Sequence, residues 1–339
     1  MTDPHPTLLE HVPGFRLRSG RTLAATVAYV TLGALNRKRS NAILIGHGFS
    51  TSHRFILDDE FAAETSWKHL VGPGRAIDTD RYFVICSNAL GSCYGSTGPA
   101  SVDPASGERW GSRFPSITLA DMVSLQRSLL DALGIARLHA VVGVSMGGYQ
   151  ALQWGVQYPE AMNKLVVALS APSSSPGTMA ALRETLAATP GWNAGNPAPQ
   201  GMVDALTGMR IKTLQAYGLR DWLDDQQLSP EQRDRTIERL ARGWAETFDP
   251  LSLLVLREAI DRFDVRPELG QVRARLLLVL STTDSIFPAA SGPALIEQLV
   301  NHGVRARFHP IDSRYGHLAS GLDWNRWDSQ LAKFLAEAE

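Results

Sequence analysis

The sequence predicts an α/β fold, a mostly parallel sheet with helices on both faces, and three observations carry that prediction. Short continuous apolar runs recur along the chain, the look of strands buried on both faces. Stretches with helical periodicity alternate with those runs, which is the pattern of βαβ units. A G-x-S-x-G turn formed by Gly143, Ser145 and Gly147 joins one such run directly to a helical stretch. At 339 residues, the chain has room for one large domain or for a domain with an insertion.

The elements follow in chain order. The first 14 residues carry three prolines and read as a loose arm without the apolar core of a signal peptide. Residues 15–35 alternate well enough for two antiparallel strands turning at Ser19 and Gly20. Residues 41–46 (N-A-I-L-I-G) and 82–87 are buried-strand runs, and 88–107, dense in Gly, Ser and Pro, form a long loop of the kind that is usually functional or disordered. Residues 118–134 are a helix with a capping box at Thr118 and Asp121 and a stop at Gly134. The run 140–144 leads into Ser145 and a helix that ends before Pro159, and 165–170 is a further strand. From 171 to about 265 the buried-strand runs cease and helical stretches broken by Pro and Gly take over, best defined at 179–188, 232–244 and 252–263. The core resumes with a strand at 275–281, a helix at 293–302, a strand at 305–311 and a terminal helix at 326–336. This divides the chain into a core, 1–170 with 266–339, and an inserted helical cap, 171–265.

Bulk composition narrows the function. The formal net charge of −1 gives no electrostatic case for nucleic acid or an anionic membrane as a partner. No run approaches the 18 apolar residues that suggest a membrane span, so the expectation is a cytoplasmic protein. The two cysteines, Cys86 and Cys93, are too few for a disulfide framework or a four-ligand zinc site.

The chemistry gathers around Ser145. A serine on so sharp a strand-to-helix turn is lifted clear of the sheet, and the helix N-terminus is aimed at whatever its Oγ attacks. It needs a base, and the base needs an orienting group, both in loops after strand C-terminal ends and in the order Ser, acid, His. Asp284 is the first acid after the strand 275–281. His317 follows the last strand in Y-G-H-L, and Asp312 is the competing acid. The backbone N–H groups of Met146 and Phe49 are the natural oxyanion donors, with Gly48 allowing close approach of the substrate. His47 and His53 lack an H-E-x-x-H frame or a third ligand, so no metal is expected.

At this level of detail the chain resembles the homoserine O-acetyltransferases. The resemblance rests on G-P-G-R-A-I-D-T-D from Gly72, R-Y-F-V-I-C-S-N-A-L-G from Arg81, C-Y-G-S-T-G-P from Cys93 and V-V-G-V-S-M-G-G from Val141. The stretch from Asp284 to Pro288 and the Y-G-H of Tyr315 extend it. It implies an α/β-hydrolase fold with a helical cap, a homodimer formed through that cap, and a Ser145–His317–Asp284 triad that carries an acetyl group. In the cap, Arg183 and Trp192 fit the family's R-x-A-I-x-x-D-P-x-W pattern, with Thr189 in place of its Asp. Leu206 stands where the family has an arginine suited to a substrate carboxylate, Lys212-Thr213 replaces a Thr-Tyr, and Leu318 stands where an Asp follows the catalytic His. Arg183, Leu206 and Leu318 are therefore taken, with Gly48, as substrate-binding positions. Loss of both ionic partners argues against a zwitterionic amino acid as acceptor, because an unpaired charge in a closed pocket costs several kcal/mol. The first reading is an esterase that hydrolyses short-chain, acetyl-type esters, with no cofactor. The second is an O-acetyltransferase using acetyl-CoA as co-substrate on homoserine or another alcohol. A binding module that has lost the reaction comes third.

Overall fold

The computed structural model describes residues 3–57, 66–175 and 179–338. Eight strands form one sheet in the order β1 (Leu8–Arg16), β2 (Thr22–Leu32), β6 (Phe83–Ser87), β3 (Ala42–Gly46), β7 (Leu138–Val144), β8 (Met162–Ala168), β9 (Arg275–Ser281) and β10 (Ala306–Ile311). A two-strand pair, β4 (Val71–Gly72) and β5 (Ile77–Asp78), stands apart. β1 and β2 are antiparallel, as is β2 with β6, and every later neighbour is parallel.

The central parallel strands are apolar on both faces because both faces are covered, while β10 is an edge strand and partly exposed. Along β9, Leu276, Leu278 and Leu280 pack with one core cluster, and Leu277 and Val279 with the other. The first layer belongs to α1 (Leu119–Ala132) and α2 (Met146–Gln157), which supply Leu129, Leu130 and Trp154. The second belongs to the terminal helix α10 (Asp328–Ala336), which supplies Leu331, Phe334 and Leu335. Each such aliphatic side chain taken fully out of water contributes about 1.5–3 kcal/mol.

Among the described residues between β8 and β9 are five α-helices: α3 (Met179–Ala187), α4 (Pro199–Ala216), α5 (Leu219–Asp225), α6 (Pro230–Thr247) and α7 (Pro250–Asp261). Two more, α8 (Gly292–Asn301) and α9 (Ala319–Leu322), precede α10. Among the described residues no helix is long and apolar enough to cross a membrane.

Two features depart from the sequence reading. Residues 8–14 are not a loose arm: they continue β1, paired from Leu8 opposite Tyr29, so Met1 and Thr2 alone of that arm lie outside the described residues. α4 and α5 also went unread. The prolines of this region, Pro199, Pro230 and Pro250, sit in the first turns of helices, where a missing N–H costs nothing, so they start helices rather than break them.

Candidate active site

β7 ends at Val144, and Ser145 follows with φ 54° and ψ −117°, a strained conformation for a residue with a Cβ. Its N–H donates to the Ala168 carbonyl at the end of β8, and its own carbonyl accepts from Gly148 and Tyr149 of α2. The turn leaves no space around it. A Cβ on Gly147 would lie 2.0 Å from the Gly46 carbonyl oxygen and one on Gly143 would lie 1.9 Å from the Gly147 carbonyl oxygen, which explains both flanking glycines and brings the end of β3 against the start of α2.

Two loops deliver the partners. Asp284 follows β9 and His317 follows β10, and their side chains are almost wholly buried. His317 Nδ1–H donates to Asp284 Oδ2 at 2.8 Å, and its Nε2 lies 3.0 Å from Ser145 Oγ, positioned to accept the hydroxyl proton. Burial raises the Asp284 pKa, but the His317 hydrogen bond and charge, with the N–H groups of Ile286 and Phe287, outweigh it and hold the carboxyl below its ordinary value. It therefore stays ionised and acceptor-only, which fixes the proton on Nδ1 and frees Nε2 to face the serine. Asp312 is exposed at the end of β10 and has no contact with the ring among the described residues. Tyr217 and Phe287 place their rings 4.7 and 5.8 Å from His317.

The loop after β3 is set by His47, which is fully buried. Its Nε2 accepts from the Ala89 N–H at 3.0 Å, so its Nδ1 carries the proton and donates to the Gly48 carbonyl at 2.8 Å. Burial lowers its pKa to about 4, against the pull of that carbonyl. Thr51 adds its N–H and hydroxyl to the same carbonyl, at 3.3 and 3.2 Å. In a trans peptide the N–H points opposite to the carbonyl, so pinning the Gly48 oxygen aims the Phe49 N–H the other way. Among the described residues, neither the Phe49 nor the Met146 N–H has an acceptor, and the close contact of Gly46 with Gly147 keeps their loops adjacent.

The remaining predicted positions are distributed unevenly. Gly48 is in this loop. Arg183 is exposed on α3. Leu206 is buried in the main core. Leu318 is fully buried with Leu214, Leu219, Leu223, Ile237 and Ala241, so it packs beneath the helices between β8 and β9 instead of presenting a wall to a ligand. One expectation needs correcting: that helix face does not lack a cation. Arg210, one turn beyond Leu206 on α4, is buried, donates to Ser50 Oγ at 2.8 Å and lies over the Trp244 ring at 5.0 Å. Its four-residue spacing from Leu206 was a usable signal; nothing local pointed to Ser50 or Trp244. Among the described residues no three His, Cys, Asp or Glu side chains are grouped to hold a metal ion, and both cysteines are free.

Residues 41–321 match the family model for the alpha/beta hydrolase fold. A homoserine O-acetyltransferase of Pelobacter propionicus is 36% identical, over 96% of this chain and 94% of that protein. The crystal structure of a homoserine O-acetyltransferase from Bacillus anthracis superposes with a TM-score of 0.85 at 26% identity, covering 99% of both chains. An acetylester hydrolase from Corynebacterium glutamicum, at 23% identity over 98% of this chain and 96% of that one, has a TM-score of 0.84 and shows the shared fold.

Proposed function

The chain belongs to the homoserine O-acetyltransferase family of α/β-hydrolases, and on that premise we propose that Ser145 is the nucleophile, His317 the general base and Asp284 its orienting group. Acyl transfer then runs in two halves. Ser145 Oγ attacks the acyl carbonyl as its proton passes to His317 Nε2, and the oxyanion is held by the N–H groups of Phe49 and Met146. His317 gives the proton to the leaving group as its bond to the acyl carbon breaks. An acceptor hydroxyl then attacks the acyl carbon while its proton passes to the same nitrogen. The bond to Ser145 Oγ breaks as His317 returns that proton to the serine, releasing the acylated acceptor. The observation that carries this is the continuous hydrogen-bonded line from Ser145 through His317 to Asp284.

The acceptor we propose is water, and the substrates short-chain, acetyl-type esters. Leu318 supports this: the position where the family has an aspartate is occupied by an alkyl group within an apolar cluster, which gives a substrate ammonium no counter-charge. The second reading is acetyl transfer from acetyl-CoA to homoserine or another alcohol. The identity to homoserine O-acetyltransferases supports it, as does the Arg210 cation near the oxyanion loop. Core boundaries at 1–170 and 266–339, a cap at 171–265, a homodimer through that cap and a cytoplasmic location belong to the same proposal.

One assay separates the readings. With p-nitrophenyl acetate and water alone, hydrolysis predicts sustained turnover, while acetyl-CoA with homoserine releases no thiol. Thiol release that requires the alcohol, with poor ester turnover, would reverse the order.

A further inference from the structure

We propose that Arg210 and Trp244 are positioning residues of the oxyanion site, holding Ser50, the residue next to the Phe49 donor, from two helices above the sheet. The proposal rests on the acyl-enzyme reading above and adds to it a control point outside the triad.

The contacts converge on one residue. The Arg210 guanidinium donates to Ser50 Oγ at 2.8 Å from α4, and the Trp244 indole N–H donates to the Ser50 carbonyl at 3.1 Å from α6. The two donors brace each other, the guanidinium lying over the indole at 5.0 Å while Phe248 stacks on the same ring at 4.7 Å. Hydrogen bonds on both the hydroxyl and the carbonyl of Ser50 restrict rotation on the C-terminal side of Phe49. His47 and Thr51 already fix its N-terminal side through the Gly48 carbonyl. The Phe49 N–H is thus held from both flanks.

The same helix reaches the base. Tyr217 caps α4 seven residues after Arg210, about two turns and roughly 10 Å along one face. Its ring lies 4.7 Å from His317, its carbonyl accepts the Leu318 N–H at 3.3 Å, and a Cβ on the next residue, Gly218, would fall 2.7 Å from the Tyr315 backbone. The C-terminal half of α4 therefore touches the oxyanion loop through Arg210 and the histidine loop through Tyr217. It fixes their separation, and any movement of α4 against the sheet disturbs both.

The test uses the full chain with Trp244→Phe, which keeps the stacked ring and loses the N–H, and Ser50→Ala, which removes the acceptor of Arg210. Loss of an oxyanion donor costs about 10²–10³ in rate, so loosening one should cost about 10-fold. We expect each variant to lower kcat for p-nitrophenyl acetate by about that factor with KM unchanged within two-fold. Affinity for a trifluoromethyl ketone, which forms a tetrahedral adduct, should fall by the same factor, and Arg210→Lys should retain more activity than Arg210→Ala. Thermal midpoints of Trp244→Phe and Ser50→Ala close to wild type show that the fold is intact. Should both variants keep kcat and ketone affinity within two-fold, or should KM alone rise, the positioning role is refuted. A wild type that neither shows an acyl-enzyme burst nor binds the ketone refutes the acyl-enzyme reading itself, and the clamp with it.

Discussion

In the proposed roles Asp284 acts on Ser145 only through the His317 ring, and that makes it separable from the nucleophile. Its depressed pKa keeps it a carboxylate that accepts from Nδ1–H; Asp284→Asn presents an amide that allows the other tautomer. We expect kcat to fall by about 10⁴ with the fold intact, measured on an ester substrate. His47 offers a test of linkage. Its folded pKa of about 4 lies below the unfolded value of 6.5, so the unfolded chain binds the extra proton first as pH falls. The neutral ring's contribution is complete above pH 6.5 and is lost as pH drops toward 4, by roughly 3 kcal/mol over that window. Urea unfolding at pH 7 and pH 4.5 should show a smaller pH-dependent loss for His47→Gln than for wild type, and equal losses would contradict a neutral buried imidazole. Ser145 and Asp284 were legible from sequence because each follows a buried apolar run, and His317 because it follows the last strand; in a parallel sheet those strands end on the same side. Ser50, Arg210 and Trp244 were not, because their contacts join residues 160 and 194 positions apart that no local pattern relates.

The elements differ in how plainly they announce themselves. β3, β7 and β9 are five- to seven-residue apolar stretches bounded by turns, and β9 was read to the residue, 275–281. α1 was also plain, since Thr118 and Asp121 form the reciprocal cap that its sequence signals. α4 was not. It holds Gly208 inside its span, places Asp204 and Lys212 among its apolar residues and starts at a proline, so its face is defined by what packs on it. That packing includes Leu318, the apolar link between the histidine loop and α4, α5 and α6. Leu318→Ala opens a cavity there and should cost about 2–5 kcal/mol in urea unfolding. It should also lower kcat more than Leu335→Ala, a matched truncation within α10 on the far face of the sheet. Equal kcat losses would mean that this cluster serves stability alone.

On the scale of the whole molecule, the proposed chemistry is divided between the sheet and the helices inserted between β8 and β9. The sheet carries Ser145, Asp284 and His317, the proposed nucleophile, acid and base, on loops that all leave strand C-terminal ends, and parallel pairing holds those ends in register. The inserted helices supply the polar hold on Ser50 and the apolar hold on Leu318. What separates the two acceptor readings in this region is the apolar Leu318 on one side and the Arg210 cation on the other. Both need the same covalent intermediate. The most direct measurement is therefore to quench the enzyme in acid during turnover of p-nitrophenyl acetate and map the acetyl group by peptide mass spectrometry. The account predicts one acetyl group per chain, on the peptide bearing Ser145, and none in Ser145→Ala. An acetyl group at another residue, or undiminished turnover in Ser145→Ala, would contradict it.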